Sequence, residues 1–285
     1  MEMNARNQKA AELCKALLDN AELILIGAGA GMSAAAGIDY TDPQRFARLF
    51  PEMAKKGFQN NYQLFGYEGL SDAVMWGYHA MHIQHVSYDM QTDPAYQNLF
   101  NLVKDKDYFV VTSNVDRMFH KNGFDPKAIY TPQGDYRLMQ CLTPCSDQTW
   151  DTRPFLDKLL AALDPVTHEI ADPSAIPACP KCGGKMFMNV RGGNWFIEKP
   201  YKQQNFLFSE WVEESFSDRL LVIELGAGFN TPGVVRYPLE KITHVHPDAN
   251  MIRINKEHPE LPSDIAKKSI GIQEDIGVFL EALQE

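Results

Sequence analysis

The stretch Glu22-Leu23-Ile24-Leu25-Ile26-Gly27-Ala28-Gly29-Ala30-Gly31-Met32-Ser33-Ala34-Ala35-Ala36-Gly37-Ile38-Asp39-Tyr40 decides the fold. Its first half is an unbroken apolar run with no polar alternation, the pattern of a strand covered on both faces in a parallel sheet. The glycines that follow at once permit a tight turn that aims backbone N–H groups at an anion, and the alanines behind them start a helix. Gly29-x-Gly31-x-x-Ala34 satisfies the loose dinucleotide fingerprint, although a tight strand-to-helix connection with no ligand satisfies it too. Upstream, Ala10, Leu13, Leu17 and Leu18 fall on one face, which predicts an amphipathic helix over 6–19 leading into the strand.

Two further apolar runs, Tyr108–Thr112 and Leu220–Leu225, predict buried strands bounded by glycine or polar turns. Strands that alternate with helices imply a parallel sheet. The expected architecture is therefore α/β, a Rossmann-like parallel sheet formed by residues 1–44, 107–136 and 201–285. Residues 45–106 carry helix-compatible aromatic and polar residues with no obvious strand and are expected to form a helical insertion. Residues 137–200 hold four paired cysteines and a Pro- and Asp-rich linker, and are expected to be a separate small zinc-ribbon module.

The chain has 285 residues, 45% of them hydrophobic, enough for one large domain with a smaller module. A net charge of −10 offers no basic footprint for nucleic acid or an anionic membrane surface. No apolar run approaches the ~20 residues that cross a bilayer, and the N-terminal residues lack a signal-peptide core. These features favour small-molecule and protein partners and a cytoplasmic location.

In a reducing compartment, close cysteine pairs suggest metal before disulfides. Cys141-x3-Cys145 and Cys179-x2-Cys182, with 33 residues between the pairs, form two thiolate knuckles suited to one tetrahedral zinc. Four sulfur ligands leave no open position, so the site is expected to be structural; two disulfides or a redox pair are the alternatives. His79, His82 and His85 lie three apart on an expected helix, but with no carboxylate at matching spacing they point to packing or a solvent face.

Taken in order, several motifs resemble those of sirtuins. Gly29-Ala30-Gly31-Met32-Ser33, then Gly37-Ile38 and Asp39-Tyr40, is similar to the family's Gly-Ala-Gly-x-Ser turn and the Gly-Ile-Pro-Asp-Phe-Arg that follows, with the proline missing and Thr41 in the arginine's place. A Rossmann dehydrogenase, with Asp39 or Asp42 on the ribose, is the competing reading, but neither aspartate sits at the usual ~20-residue spacing. Thr112-Ser113-Asn114-Val115-Asp116 resembles the family's Thr-Gln-Asn-Ile-Asp. The resemblance implies that Asn114 orients the nicotinamide ribose and that Asp116 accepts hydrogen bonds from the nicotinamide carboxamide; capping of the next helix is the plainer alternative. Gly226-Ala227-Gly228, Asn255 in Ile254-Asn255-Lys256-Glu257, and Asp275-Ile276 resemble, in family order, the elements around the adenosine half of NAD.

The departure that matters is Thr131-Pro132-Gln133-Gly134, where sirtuins read His-Gly and use the histidine as general base. An amide takes up no proton near neutral pH, so Gln133 keeps a hydrogen-bonding side chain and removes base chemistry. Breaking the glycosidic bond of NAD needs chiefly positioning and electrostatics, and that step persists without the base. His120 is displaced by one from the family's nearby histidine, where Phe119 stands. Val190 and Phe196-x-Glu198 are retained from the peptide-pairing segment, while Arg191-Gly192-Gly193 interrupts it, so peptide binding by strand pairing is expected to be altered.

The alanine-rich glycine turn and the glutamine resemble one branch, the macrodomain-linked bacterial and fungal class M sirtuins. That resemblance implies an enzyme that uses NAD as substrate for protein ADP-ribosylation, with Asn114, Asp116 and Gln133 as catalytic residues. Gly29, Ala30, Gly31, Ser33, Asp39, Tyr40, Ser113, Gly226, Ala227, Gly228, Asn255, Asp275 and Ile276 would complete the cofactor contacts, and Cys141, Cys145, Cys179 and Cys182 would bind Zn. It further implies a lipoyl-bearing carrier like the glycine-cleavage H protein as acceptor, and a companion macrodomain that reverses the modification. A deacylase, an NAD hydrolase and a non-catalytic NAD sensor are the rivals.

Overall fold

A computed structural model describes residues 5–284. The described strands are β1 (Leu23–Ala28), β2 (Asp107–Thr112), β3 (Ile129–Tyr130), β4 (Gly134–Cys141), β5 (Thr149–Asp151), β6 (Met186–Val190), β7 (Leu220–Leu225), β8 (Ala249–Ile254) and β9 (Ser269–Ile272). The helices are α1 (Ala5–Asn20), α2 (Ala30–Ala35), α3 (Pro43–Leu49), α4 (Pro51–Lys55), α5 (Asp72–Ile83), α6 (Pro94–Val103), α7 (Met118–Lys121), α8 (Arg153–Ala161), α9 (Lys202–Glu214), α10 (Arg236–Val245) and α11 (Ile276–Ala282). They divide into two compact units, one formed by residues 1–37, 91–133 and 201–285, the other by 38–90 and 134–200.

The first unit is built on a six-stranded sheet in the order β3-β2-β1-β7-β8-β9, every neighbouring pair parallel. The three apolar runs of the sequence are β1, β2 and β7. Ile24, Leu25, Ile26, Leu221, Val222 and Leu225 are almost wholly buried, which explains why they show no alternation: helices cover both faces. Gly27 has a packing reason, because a Cβ there would come within 2.0 Å of Leu239 on α10. The chain leaves β1 toward β2 on one side and resumes at β7 on the other. The strand order therefore reverses at the β1/β7 seam, where open α/β sheets place ligands at the carboxyl ends.

The second unit combines an antiparallel sheet, order β5-β4-β6, with α3, α4, α5 and α8. Its helical part is held by Phe46, Phe50, Met53, Leu64, Val74 and Tyr78. Rings of Phe50 and Tyr78 meet edge to face at 4.9 Å between centroids, a geometry worth about 1 kcal/mol beyond area burial. β4 begins at Gly134, whose φ of +106° and tight approach to Asn189 O, 2.1 Å from where a Cβ would stand, admit only glycine. The glycine after Gln133 is thus a requirement of β4–β6 pairing. β6 ends at Val190, so the Arg191-Gly192-Gly193 segment interrupts the strand as expected. Arg191 ion-pairs with Glu198 at 2.6 Å and lies over the Phe196 ring.

Candidate active site

At the β1/β7 seam the two glycine turns interlock. The Gly29 N–H donates to Leu225 O (2.9 Å) and the Gly31 N–H to Gly226 O (3.0 Å). A Cβ on Gly29 would fall 2.6 Å from Ala227 Cα, and one on Gly31 2.7 Å from Gly226 Cα, so both positions need glycine for backbone-to-backbone contact. Gly226 closes its turn at φ +60°, whereas a Cβ at Gly228 would meet nothing within 4 Å. The inner parts of both turns are packed against each other, and the outer part of the second is open for a ligand.

The end of β2 joins the same seam. The Asn114 Nδ2 donates to Gly29 O at 2.8 Å, and its own N–H donates to Thr112 Oγ1 at 3.0 Å. The Ser113 N–H donates to Ala28 O at 3.1 Å, and Ser33 Oγ donates to Asp116 Oδ2. Asp116 also accepts from the Met118 N–H at 2.9 Å, so it caps α7 as well as facing the turn. Arg117, between them, adopts the left-handed φ of +63°, uncommon for a side chain of its size. Burial pushes the Asp116 carboxyl up from its ordinary value, opposed by the Met118 N–H and the Ser33 hydroxyl. Tyr96 of α6 is buried beside this group; burial, then the Asp116 carboxylate, holds its phenol well above the usual tyrosine range.

On the other side of the seam, the Asn255 Nδ2 donates to Ala227 O at 3.1 Å while its Oδ1 accepts from the N–H groups of Glu257 and His258. The Asn255 N–H donates to Ile272 O at 3.0 Å. Asp275 caps α11 through the Val278 N–H at 3.2 Å, with Ile276 buried behind it. Ser33, Asn114, Asp116, Gly226, Ala227 and Asn255 therefore form one hydrogen-bonded rim across the ends of β2, β1, β7 and β8. Asp39 and Tyr40 belong to the second unit. There Asp39 closes its own turn by accepting from the Thr41 N–H and hydroxyl, each at 2.7 Å, and Tyr40 packs against His82.

Gln133 is half-buried, and its carboxamide hydrogen-bonds to no described residue. His120 offers no substitute base in the first unit: burial, reinforced by Arg117, pushes it down to about 4, too weak a proton acceptor for a base working near neutrality.

Sequence reading missed the support behind this rim. Glu224 of β7 and Arg253 of β8 are register partners, both fully buried, joined at 2.5 Å. Arg253 also meets Glu240 at 2.7 Å, and Arg236 reaches Glu240 at 3.5 Å while donating to Ala227 O at 3.1 Å. Two acids and two arginines thus clamp the second glycine turn from below. The available signal was opposite charges set at the same depth in two otherwise apolar runs, Val-Ile-Glu-Leu and Met-Ile-Arg-Ile. The Glu224→Gln variant keeps the shape but loses the charge that offsets two buried guanidinium groups. It is expected to be less stable by about 2 kcal/mol, read from the urea midpoint; an unchanged midpoint would mean that the cluster carries no net stabilisation.

In the second unit Cys141, Cys145, Cys179 and Cys182 bring their sulfurs within 4.8 Å of one another. Cys141–Cys182 and Cys145–Cys179 stand at 3.7 and 3.8 Å. A tetrahedron with Zn–S bonds of ~2.3 Å has sulfur edges of ~3.8 Å, so the set fits one zinc ion.

Comparison with known proteins finds relatives in sequence and in fold. The chain is 36% identical over 241 residues to a probable bifunctional ADP-ribose hydrolase/ADP-ribosyltransferase of Fusarium oxysporum f. sp. cubense, an alignment covering 82% of this chain and 40% of that protein. It therefore spans well under half of the Fusarium relative's length. It is 29% identical over 276 residues to a protein ADP-ribosyltransferase of Staphylococcus aureus strain Mu50, covering 95% of this chain and 86% of the relative. Among solved structures, a Sir2 enzyme with a p53 peptide and NAD+ superposes with a TM-score of 0.57 at 18% identity, covering 96% of both chains. An ADP-ribose complex of a Sir2 homologue gives 0.57 at 18%, covering 99% of this chain and 96% of the other. No family model matches the chain.

Proposed function

This chain is a sirtuin-fold relative of protein ADP-ribosyltransferases, and from that premise we propose that it transfers ADP-ribose from NAD to a side chain of an acceptor protein, releasing nicotinamide. The observation that carries the reading is Gln133, an amide at the sequence position where sirtuins carry the base, and the hydrogen-bonded rim across the ends of β2, β1, β7 and β8 supports it. In this reading Asn114 holds the nicotinamide ribose, and Asp116 accepts from the carboxamide, a carboxylate being suited to an N–H donor. Gly29, Ala30, Gly31, Ser33 and Ser113 flank the pyrophosphate and nicotinamide half; Gly226, Ala227, Gly228, Asn255, Asp275 and Ile276 flank the adenosine half.

The glycosidic bond to nicotinamide breaks as positive charge develops on the ribose, and fixed dipoles placed around that charge lower the barrier without a proton transfer. A nucleophile on the acceptor then forms the new bond to the anomeric carbon. The acceptor we propose is a lipoylated carrier resembling the glycine-cleavage H protein. The two activities named together in the Fusarium relative support a companion hydrolase that removes the mark. Zinc on the four cysteines would hold the second unit together and take no part in transfer.

Purified protein incubated with labelled NAD, alone, with a lipoylated carrier, and with an acetyl-lysine peptide, separates the readings. Label on the carrier with nicotinamide release is the expected result. Acyl loss from the peptide would show a deacylase, and free ADP-ribose in every arm a hydrolase; either would overturn transfer.

A further inference from the structure

The second unit contains a cavity of about 550 Å³ that the proposed chemistry does not use. This lies in the size range of small-molecule sites, ~300–1,000 Å³. Its wall is assembled from three separated segments, with Trp76, Phe187, Trp195, Met75, Met186 and Met188 giving it a largely aromatic and thioether surface. Such a wall suits an apolar body, and the methionines let it adjust to shape.

Among the described residues, one buried polar side chain in this wall has no hydrogen-bond partner. His79 is only 9% exposed and lines the cavity, its ring in T-shaped contact with Trp76 and Phe187 at 5.5 Å each. Neither ring nitrogen hydrogen-bonds to a described residue. The neighbouring His82 differs: its Nδ1 accepts from Asn61 at 3.3 Å and its Nε2–H donates to Tyr136 at 3.2 Å, so it is satisfied. Burial pushes His79 down to about 4, so at neutral pH it is an uncharged imidazole with one N–H donor and one bare acceptor. The ring nitrogens are not shut off in the protein interior and are left to a ligand group that enters the cavity.

At the mouth, Asp72 and Lys185 pair with each other at 2.8 Å and Glu68 adds one negative charge. The wall is neutral and the rim faintly acidic, which disfavours a carboxylate or phosphate. We propose that this cavity is a second binding site, for an uncharged apolar molecule carrying one amide, which pairs with one ring nitrogen of His79 by donating its N–H or accepting through its C=O. The site lies wholly inside the second unit and needs no NAD, so its test stands apart from that of ADP-ribose transfer.

Octanamide and octanoate are the probes, titrated into the intact 285-residue chain loaded with zinc and without NAD, with tryptophan emission and calorimetry as readouts. Two of the four tryptophans line the cavity. Octanamide is expected to give a saturable change and to bind at least about tenfold more tightly than octanoate. The His79→Phe variant keeps a ring and removes the hydrogen bond; it is expected to weaken octanamide about tenfold, while His79→Gln, with donor and acceptor both present, restores most of the loss. No saturable binding to the wild type, or equal affinity for amide and carboxylate, overturns the site. Equal affinity of wild type and His79→Phe overturns the role of His79. Should His79→Phe not fold, the comparison of the two probes on the wild type still decides.

Discussion

Removing zinc from the four-cysteine module is expected to unfold the second unit's β4–β6 sheet. Metal analysis should find one zinc per chain, and a strong chelator should release it together with a loss of strand signal in circular dichroism and of the near-ultraviolet signal of Trp150 and Trp195. The physical reason is the small core around the cysteines. β5 has three residues and β6 five, and the sulfurs, held 3.7 and 3.8 Å apart, would otherwise be four thiols with no covalent tie. In zinc-finger peptides the metal contributes ~10–16 kcal/mol at neutral pH; here the aromatic core around Phe50 and Tyr78 carries part of the load, so that range is a ceiling. Cys179→Ser should act in the same direction as the chelator. Protein that is free of metal as purified, and whose spectrum a chelator leaves unchanged, would show that the cysteines are not a structural zinc site.

Asn114→Ala is the second large effect. The side chain donates to Gly29 O at a half-buried position, so its loss costs the fold only about 1 kcal/mol. For the reaction the expected loss is ~100- to 1,000-fold in turnover, the size seen when one preorganised donor is removed from a developing charge. A second readout separates positioning from collapse of the turn: NAD affinity should fall far less than turnover, and the thermal midpoint should move little. Transfer at the wild-type rate by a folded Asn114→Ala protein would remove this residue from the mechanism.

How much of this was readable beforehand depends on how local each signal is. β1, β2 and β7 announce themselves because strands covered on both faces need apolar residues at nearly every position, and Cys141-x3-Cys145 with Cys179-x2-Cys182 announces itself because a metal site demands fixed ligand types at short spacing. Asn114 and Asp116 were legible as polar residues at a strand end. Their partners, Gly29 O and Ser33, lie more than eighty residues away and come from pairing β1 with β2. The clamp of Glu224, Arg253, Arg236 and Glu240 depends on the register between β7 and β8, which no local pattern encodes. The cavity around His79 is less visible still, since its wall draws on helix, β-sheet and loop segments that only tertiary packing brings together. The histidine triplet 79, 82 and 85 reads as a helix face in sequence, and only tertiary packing distinguishes its members: His82 meets Asn61 and Tyr136, His85 meets Arg45, and His79 hydrogen-bonds to no described residue.

The main sheet's borders carry one more consequence. β3 has two residues and β9 four, while the six-residue, largely apolar strands β1 and β7 occupy the middle. Unpaired N–H and C=O groups on a border invite another chain to add itself as the next strand. Here the two borders offer such a short row that a foreign strand could form only a few bonds, and Lys267 and Lys268 stand just before one of them. The sequence runs with the strongest tendency toward intermolecular aggregation are thereby shielded in the native state, and they become a hazard only when the sheet opens.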